Sequence, residues 1–464
     1  MEKMNEKEIR YEFRTILSES HPGLTFEEFR DTSIFLLFYH YLCLRYDDKL
    51  DEEYKLHMMV RLALRGKLQM DTFLKFMDRA SAFLHLVCPA FTLTEFSFYK
   101  KLQEVETQEK QKSYARFIRK MIKKLDLLAQ EEATLSLYPS CFEALMLEFS
   151  NMKKETGIPE AIMELYHIFG EEKHKENSCK VFQPEFRYGA LLRKILSNCE
   201  NAYYYGSEKS EDYLELMRIL CFLYGIKEER TYFSLQKDWT KQKHLLGQMD
   251  MICVYKPEGV EAGSYLSAEE ANLAVKTLLN VKAKGELPYL LSAFPLLKSD
   301  GMLLAIMPSS LLYREGRESQ IRRYLVEELD CLDAIVLLPD AIFPSIGQQE
   351  VFLFMKKKRS HQDIMFFDCS RQDTFNEETL KDVHKAFRGR KNIAGFCSRV
   401  EKEEIKKNDF NLNLPRYIKK LVGLEAIDID AKRKRIQEID QELKEIDARI
   451  DMYRRDLELD ALLK

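Results

Sequence analysis

Acidic residues follow two short apolar segments in the second half of the chain, where they could bind a nucleotide-like ligand. The segment AYYYGSE contains Gly206 and ends in Glu208, and Asp238 follows the segment TYFSL. In a helix-covered parallel sheet, a carboxylate that ends the second strand binds ribose hydroxyls, and a glycine-rich turn after the first strand admits the ligand. Glu208 meets the first requirement. The second is not met, because no strand with a glycine-rich turn lies between Ile195 and Gly206.

Basic residues cluster at two places that could contact phosphate groups. Nine Lys or Arg residues against three Glu lie between positions 100 and 124, and a KKKR run occupies positions 356–359. The net charge of the whole chain is -4, so any attraction for nucleic acid must come from such local patches. The alternative is a solvated helix face, or lysines that guard the edge of a sheet. The candidate DNA-binding residues are Lys112, Arg116, Arg119, Lys120, Lys123 and Lys124.

Other chemistry is weakly indicated. The ten cysteines are scattered without a C-x-x-C pair, and the nine histidines form no metal-spaced cluster. No Walker-type phosphate loop and no nucleophile elbow occur. The charged N-terminus and the short apolar stretches predict a cytoplasmic protein with reduced thiols and no membrane partner.

The hydrophobic pattern divides the 464 residues into three predicted domains. Residues 1–178 have helical periodicity, beginning with a Thr25-x-x-Glu28 capping box, and are predicted to form an all-α domain. Over residues 179–420, short apolar segments alternate with amphipathic ones, which predicts an α/β fold with a mostly parallel sheet covered by helices on both faces. Its expected strands include 202–206, 231–235, 249–255, 302–308, 333–339, 350–356 and 364–368, and helices are expected over 268–299 and near 317–329.

The third domain, residues 421–464, carries an a/d heptad pattern typical of a coiled-coil-type helix. This pattern predicts pairing with a helix of a partner, although a helix folded back on its own domain would have the same periodicity. The apolar positions are Ile436, Ile439, Leu443, Ile446, Ile450, Tyr453 and Leu457.

An ordered set of motifs resembles the modification subunit of type I restriction systems, a DNA adenine N6-methyltransferase family. The stretch EEFRDTSIFLLFYHYL resembles its helical domain, and FNLNLPRYI resembles its closing motif. Between them lie the positions that match the family's strand and helix motifs, namely Gly301, Pro308, Arg314, Gly316, Glu318, Ile321, Arg322, Ile335, Leu337, Pro339 and Phe343. The resemblance implies a Rossmann-like methyltransferase sheet between the helical domain and the C-terminal helix.

The chain departs from the family at the turn that receives the adenine. The family carries D-x-x-x-x-N-P-P-F there, whose Asn, Pro and aromatic residue hold a flipped base. Counted from Asp250, this chain has Tyr255, Lys256, Pro257 and Glu258. Only the second proline is retained, and an ammonium group beside the amino nitrogen would oppose methyl transfer.

The turn that grips S-adenosylmethionine in the family also has no counterpart. Pro184 of VFQPEF is interpreted as the family's upstream T-P motif, and only 21 residues separate it from Gly206, which predicts that the cofactor turn is deleted. Pro184, Glu208 and Asp238 would then be remnant cofactor positions, and no cofactor is expected. A carboxylate after a strand can instead cap the next helix.

The resulting hypothesis is a catalytically inactive modification subunit that assembles with a specificity subunit, or another methyltransferase-like chain, and contacts duplex DNA. One alternative is an active methyltransferase with a divergent site, which would use S-adenosylmethionine. Another is an assembly protein that contacts no nucleic acid.

Overall fold

Two compact units make up the chain, Met1–Ile418 and Lys419–Lys464. The computed structural model describes residues 23–46, 55–87, 96–129, 160–174, 178–186, 201–235, 243–255, 286–342, 349–370 and 375–418, and single or paired positions elsewhere, among them 138, 189, 191, 439–441, 443–446 and 448–449.

The described N-terminal part consists of helices joined by short turns. Its helices are α1 (Phe26–Arg45), α2 (Leu56–Leu64), α3 (Met70–Val87), α4 (Ser97–Gln103), α5 (Gln108–Ala129) and α6 (Glu160–His174). The predicted capping box is confirmed, because the Thr25 hydroxyl accepts from the Glu28 amide and the Glu28 carboxylate accepts from the Thr25 amide. Most of α1 is buried on all sides, as its apolar sequence predicts. Most of residues 140–155, within the predicted all-α domain, lie outside the described residues.

The second part is a nine-stranded mixed sheet with helices between its strands. The strands are β1 (Cys179–Pro184), β2 (Ala202–Glu208), β3 (Thr231–Leu235), β4 (Met249–Tyr255), β5 (Leu297–Pro308), β6 (Leu332–Leu337), β7 (Glu350–Lys356), β8 (Ile364–Asp368) and β9 (Cys397–Val400). The helices are α7 (Glu211–Leu223), α8 (Glu286–Ala293), α9 (Arg317–Arg323), α10 (Glu377–Gly389) and α11 (Lys402–Lys407).

The strand order is β3-β2-β1-β4-β5-β7-β6-β8-β9. In sheet order, the neighbouring strands from β3 through β2, β1 and β4 to β5 pair in parallel, whereas β7 runs antiparallel to both β5 and β6. The predicted α/β sheet is therefore confirmed, with an antiparallel insertion at β7. Two strands, β1 and β9, were not predicted, and the helix expected over 268–299 is wrong at its end because β5 begins at Leu297.

Side chains alternate between two hydrophobic cores, one on each face of the sheet. Val181, Tyr204 and Met251 belong to the core that also contains α1 to α6, while Phe182 and Ile252 belong to the core that contains α8 and α9. This period of two explains why the central strands are apolar throughout. The N-terminal helices thus cover one face of the sheet directly.

The second unit is helical at its described positions. Ile439, Leu443 and Ile446 are exposed there, with 41%, 51% and 48% of their surface accessible. Ile436, Ile450, Tyr453 and Leu457 lie outside the described residues, so the predicted pairing of this helix with a partner stays a prediction.

Candidate functional site

The carboxyl ends of β1, β2 and β4 define the candidate site. Strands β1 and β4 pair only at Val181 with Met251 and at Phe182 with Ile252, and no further pairing follows toward their carboxyl ends. The strand order reverses between β1 and β4, which is where helix-covered parallel sheets bind their ligands. The site is therefore built from the residues that end these strands.

Pro184 ends β1, the central strand next to β4, and the turn after it has the place of a cofactor turn. The predicted deletion is therefore wrong, and so is the assignment of Pro184 to an upstream motif. The turn is present but bulky. Its first residue, Glu185, has a left-handed backbone with φ of 54°, and its amide donates to the Ser207 carbonyl of β2 at 2.8 Å.

Phe186 fills the space above β2. Its ring lies over Gly206, where a Cβ atom would come within 2.6 Å of it, and its centroid is 5.3 Å from that of Phe233. Phe186 is almost fully buried. Gly206 therefore allows an aromatic side chain of the protein itself to approach the strand closely.

Gly189, a later residue of the same turn, has a φ of 67°. A Cβ atom there would lie 2.8 Å from the Leu220 side chain and 2.9 Å from the sulfur of Met217, both on α7. This glycine therefore serves close packing against a helix.

Glu208 ends β2 as predicted, and its carboxylate is buried. Its Oε1 accepts from the Lys209 amide at 2.8 Å, and the Lys209 ammonium pairs with Oε1 of Glu185 at 2.7 Å. Lys209 thus contacts Glu208 through its amide and Glu185 through its ammonium group, and Phe186 occupies the adjoining surface. The described residues of the turn do not fit S-adenosylmethionine. Asp238 lies outside the described residues.

The end of β4 is held from the helical side. The hydroxyl of Tyr166, on α6, donates to the Val254 carbonyl at 2.6 Å. Burial raises the pKa of Tyr166, so this hydroxyl stays a donor. Tyr255 itself is buried in the core shared with the N-terminal helices. Lys256, Pro257 and Glu258 lie outside the described residues.

Asp250 is placed at the opposite end of the sheet. Its Oδ2 accepts from the Lys180 amide at 2.8 Å, and its Oδ1 pairs with the Lys298 ammonium at 2.6 Å. Five residues of extended chain, about 16 Å, separate it from Tyr255. Asp250 therefore stabilises the amino ends of β1, β4 and β5.

A buried polar contact beneath the site was missed by the sequence reasoning. Gln183, on β1, accepts a hydrogen bond from the hydroxyl of Tyr204, on β2, and both side chains are buried. Phe186 and Tyr166 were missed as well. The one feature of the sequence that could have indicated this turn is the proline of VFQPEF, which ends a six-residue strand rather than a helix.

The basic helix α5 exposes only part of its predicted DNA-binding set. Lys112, Arg116 and Lys123 are exposed, whereas Arg119 is half-buried and donates to the Leu68 carbonyl at 2.9 Å. Lys120 is half-buried and has an interaction partner of its own. Lys124 belongs to the helix, but its side chain is outside the described part of the structure.

Two residues of the KKKR run make structural contacts, whereas Lys358 is exposed. The Arg359 side chain is buried and pairs with Asp330 at 2.6 Å, and the Lys357 ammonium donates to the Leu297 carbonyl at 2.6 Å. Because β7 lies between β5 and β6, these residues do not guard a sheet edge, and that alternative is wrong.

Arg322, one of the family-motif positions, also has a structural contact set. Its buried guanidinium donates to the carbonyls of Phe410 and Leu311, each at 2.9 Å, and so fastens the closing motif to α9.

Within the described ranges, no group of three or more His, Cys, Asp or Glu side chains could hold a metal ion. No helix in those ranges is long and apolar enough to cross a bilayer.

Comparison with known proteins agrees with this architecture. The family model described as N-6 DNA methylase matches residues 140–423. A type I restriction enzyme MjaVII methylase subunit of Methanocaldococcus jannaschii is 25% identical over 295 residues, covering 58% of this chain and 51% of the relative. An MpnII methylase subunit of Mycoplasma pneumoniae is 24% identical over 362 residues, covering 71% and 66%.

A solved type I restriction-modification methyltransferase subunit from Streptococcus thermophilus has the same fold, with a TM-score of 0.73 and 17% identity, covering 89% of this chain and 100% of that one. The chain belongs to the N-6 DNA methylase family. It is similar to methylase subunits of type I restriction enzymes, and it spans about half to two thirds of the length of the two curated relatives above.

Proposed function

We propose that this chain is a non-catalytic member of the type I modification-subunit family, which assembles with a specificity subunit or another methyltransferase-like chain and helps to hold duplex DNA. The observation that carries the proposal is the turn after β1, where Phe186 and the ion pair between Glu185 and Lys209 occupy the surface that a cofactor would need.

The end of β4 supports the same conclusion. A base that is to be methylated must be held by hydrogen bonds to its edge and by stacking. The buried Tyr255 side chain offers neither, and Tyr166 fixes the preceding carbonyl from the opposite side. The assembly role rests on the relatives, whose names describe subunits of larger enzymes.

DNA contact is proposed for the exposed cations of α5. Lys112, Arg116 and Lys123 lie on one face of the helix at intervals of four and seven residues. Phosphate contacts of this kind position a protein on DNA without reading its sequence. Arg119 is better explained by its contact with Leu68.

An active, S-adenosylmethionine-dependent enzyme is the second candidate. It is favoured by the retained carboxylate of Glu208 at the end of β2, the position that binds ribose in related sheets. In that case the ring of Phe186 must leave Gly206 when the cofactor binds.

Calorimetric titration of the full chain with S-adenosylmethionine separates the two candidates, with a family member that retains the glycine-rich turn as the positive control. We expect no heat of binding and no labelled methyl transfer to duplex DNA. Saturable binding together with methylated adenine would refute the non-catalytic role.

A further inference from the structure

Strand β3 forms one edge of the sheet in the part of the chain that the structure describes. Among the described residues, β3 pairs only with β2, in an unbroken register from Thr231 to Leu235. Natural edges are guarded by lysines, prolines or bulges, and the sequence TYFSL has none of these. Tyr232 and Leu235 are also exposed, with 47% and 50% of their surface accessible. This edge can therefore accept another strand.

A cleft lies beside the edge, on the face of the sheet that α7 covers. Its volume is about 390 Å³, which is at the lower end of the range for small-molecule sites. Cys221, Phe222, Ile226 and Phe233 supply its apolar surface. A side chain that points from an added strand toward this face would enter the cleft next to Phe233.

The rim of the cleft is positively charged. Arg218 and Lys227 are exposed there, and Glu228 is the acidic residue among the lining groups. The rim therefore favours an acidic side chain over a basic one.

The opposite face of the edge is aromatic. The ring of Tyr232 is stacked on that of Tyr205, with centroids 4.6 Å apart and an angle of 11° between the planes. This pair forms a flat surface that can pack against the alternate side chains of an added strand.

We propose that β3 and its cleft form a docking site for an extended segment of a partner protein, which adds to the sheet as a tenth strand. The segment would place an apolar side chain in the cleft and, two residues along, an acidic side chain near Arg218 and Lys227. Main-chain hydrogen bonds would supply affinity and the cleft would supply specificity. The cleft adjoins the turn after β1, because the ring of Phe233 in its lining contacts that of Phe186.

Two synthetic peptides test the proposal with the full chain. In TVTVTETET the valines and glutamates share one face of a strand, and in TVTVTKTKT lysines replace the glutamates. Fluorescence anisotropy should show binding of the acidic peptide and about tenfold weaker binding of the basic one, because two rim ion pairs become like-charge pairs.

The charge-reversed variant Arg218→Glu with Lys227→Glu should invert this preference. Lys358→Glu with Lys407→Glu makes the same charge change at exposed positions far from β3 in the sequence, and should leave the preference unchanged. Circular dichroism of both variants verifies that they fold.

Hydrogen exchange distinguishes strand addition from simple occupation of the cleft. Bound peptide should slow the exchange of amides in Thr231–Leu235 if a new ladder forms. Failure of both peptides to bind, binding that leaves those amides unprotected, or a preference that survives charge reversal would each overturn the proposal.

Discussion

Neutralising the exposed cations of α5 should weaken the salt dependence of DNA binding by a calculable amount. The variant replaces Lys112, Arg116 and Lys123 by Gln. On a helix these residues span about 16 Å along the axis, far enough apart to contact separate phosphates. Each phosphate contact contributes about 0.9 to the slope of log K against log salt. Loss of three contacts should therefore reduce the slope by about 2.7.

The expected difference in slope also predicts how the measured affinities change with salt. Between about 50 and 200 mM salt, a slope contribution of about 2.7 corresponds to a roughly 40-fold loss of affinity. The wild type should lose this additional factor of DNA affinity relative to the variant over that salt range. Anisotropy titrations of a labelled duplex at several salt concentrations measure both slopes, with and without a specificity subunit.

The control variant replaces Lys358, Lys385 and Lys407 by Gln, and so has the same net charge as the test variant. All three residues are exposed and lie outside α5. Its slope should equal that of the wild type. An unchanged slope in the α5 variant would refute the assignment of this helix to DNA contact. So would the absence of DNA binding at low salt both with and without the specificity subunit.

Three further predictions concern the folded state. Burial lowers the pKa of His40 from its ordinary 6.5 to about 3, so the unfolded chain takes up a proton that the folded state excludes. The free energy of unfolding is therefore largest above pH 6.5 and falls below it, by about 2 kcal/mol between pH 8 and pH 5. Urea unfolding should show that His40→Gln removes this loss. Tyr166→Phe removes the donor to Val254 and should cost about 1 kcal/mol in the same assay, while a larger loss would indicate rearrangement of β4. Phe186→Ala should lower the free energy of unfolding by about 3 to 4 kcal/mol without creating affinity for S-adenosylmethionine; gained affinity would show that this ring alone blocks the cofactor.

Local signals made much of the fold predictable. The capping box at Thr25 depends on residues three apart in the chain, and the strand at Met249–Tyr255 is an uninterrupted apolar run. Strand β1 lacked such a signal, because Lys180 and Gln183 interrupt its apolar character. Gln183 is tolerated there only because Tyr204, on the neighbouring strand, donates to it. A partner in another strand cannot be read from the sequence around Gln183.

The site was less predictable than the fold, because its contacts depend on strand register. Parallel pairing places Pro184 beside Ser207, and this register brings Phe186 over Gly206. Spacing along the chain suggested a deleted turn, whereas the structure has a turn after β1 that includes Glu185, Phe186 and Gly189. The position of Asp250 in the motif was recognised, but not its location at the end of the strand away from the site.

These replacements act together as an internal substitute for a ligand. An empty cleft between β1 and β2 would cost stability in proportion to its volume, because its walls lose packing partners. Phe186 fills that volume, and the Lys209 ammonium offsets the buried charge of Glu185, which would otherwise be costly. The space over Gly206 is therefore filled by a side chain of the protein itself. On the proposed non-catalytic role, the chain would keep the surfaces of a modification subunit for assembly while the turn after β1 serves packing.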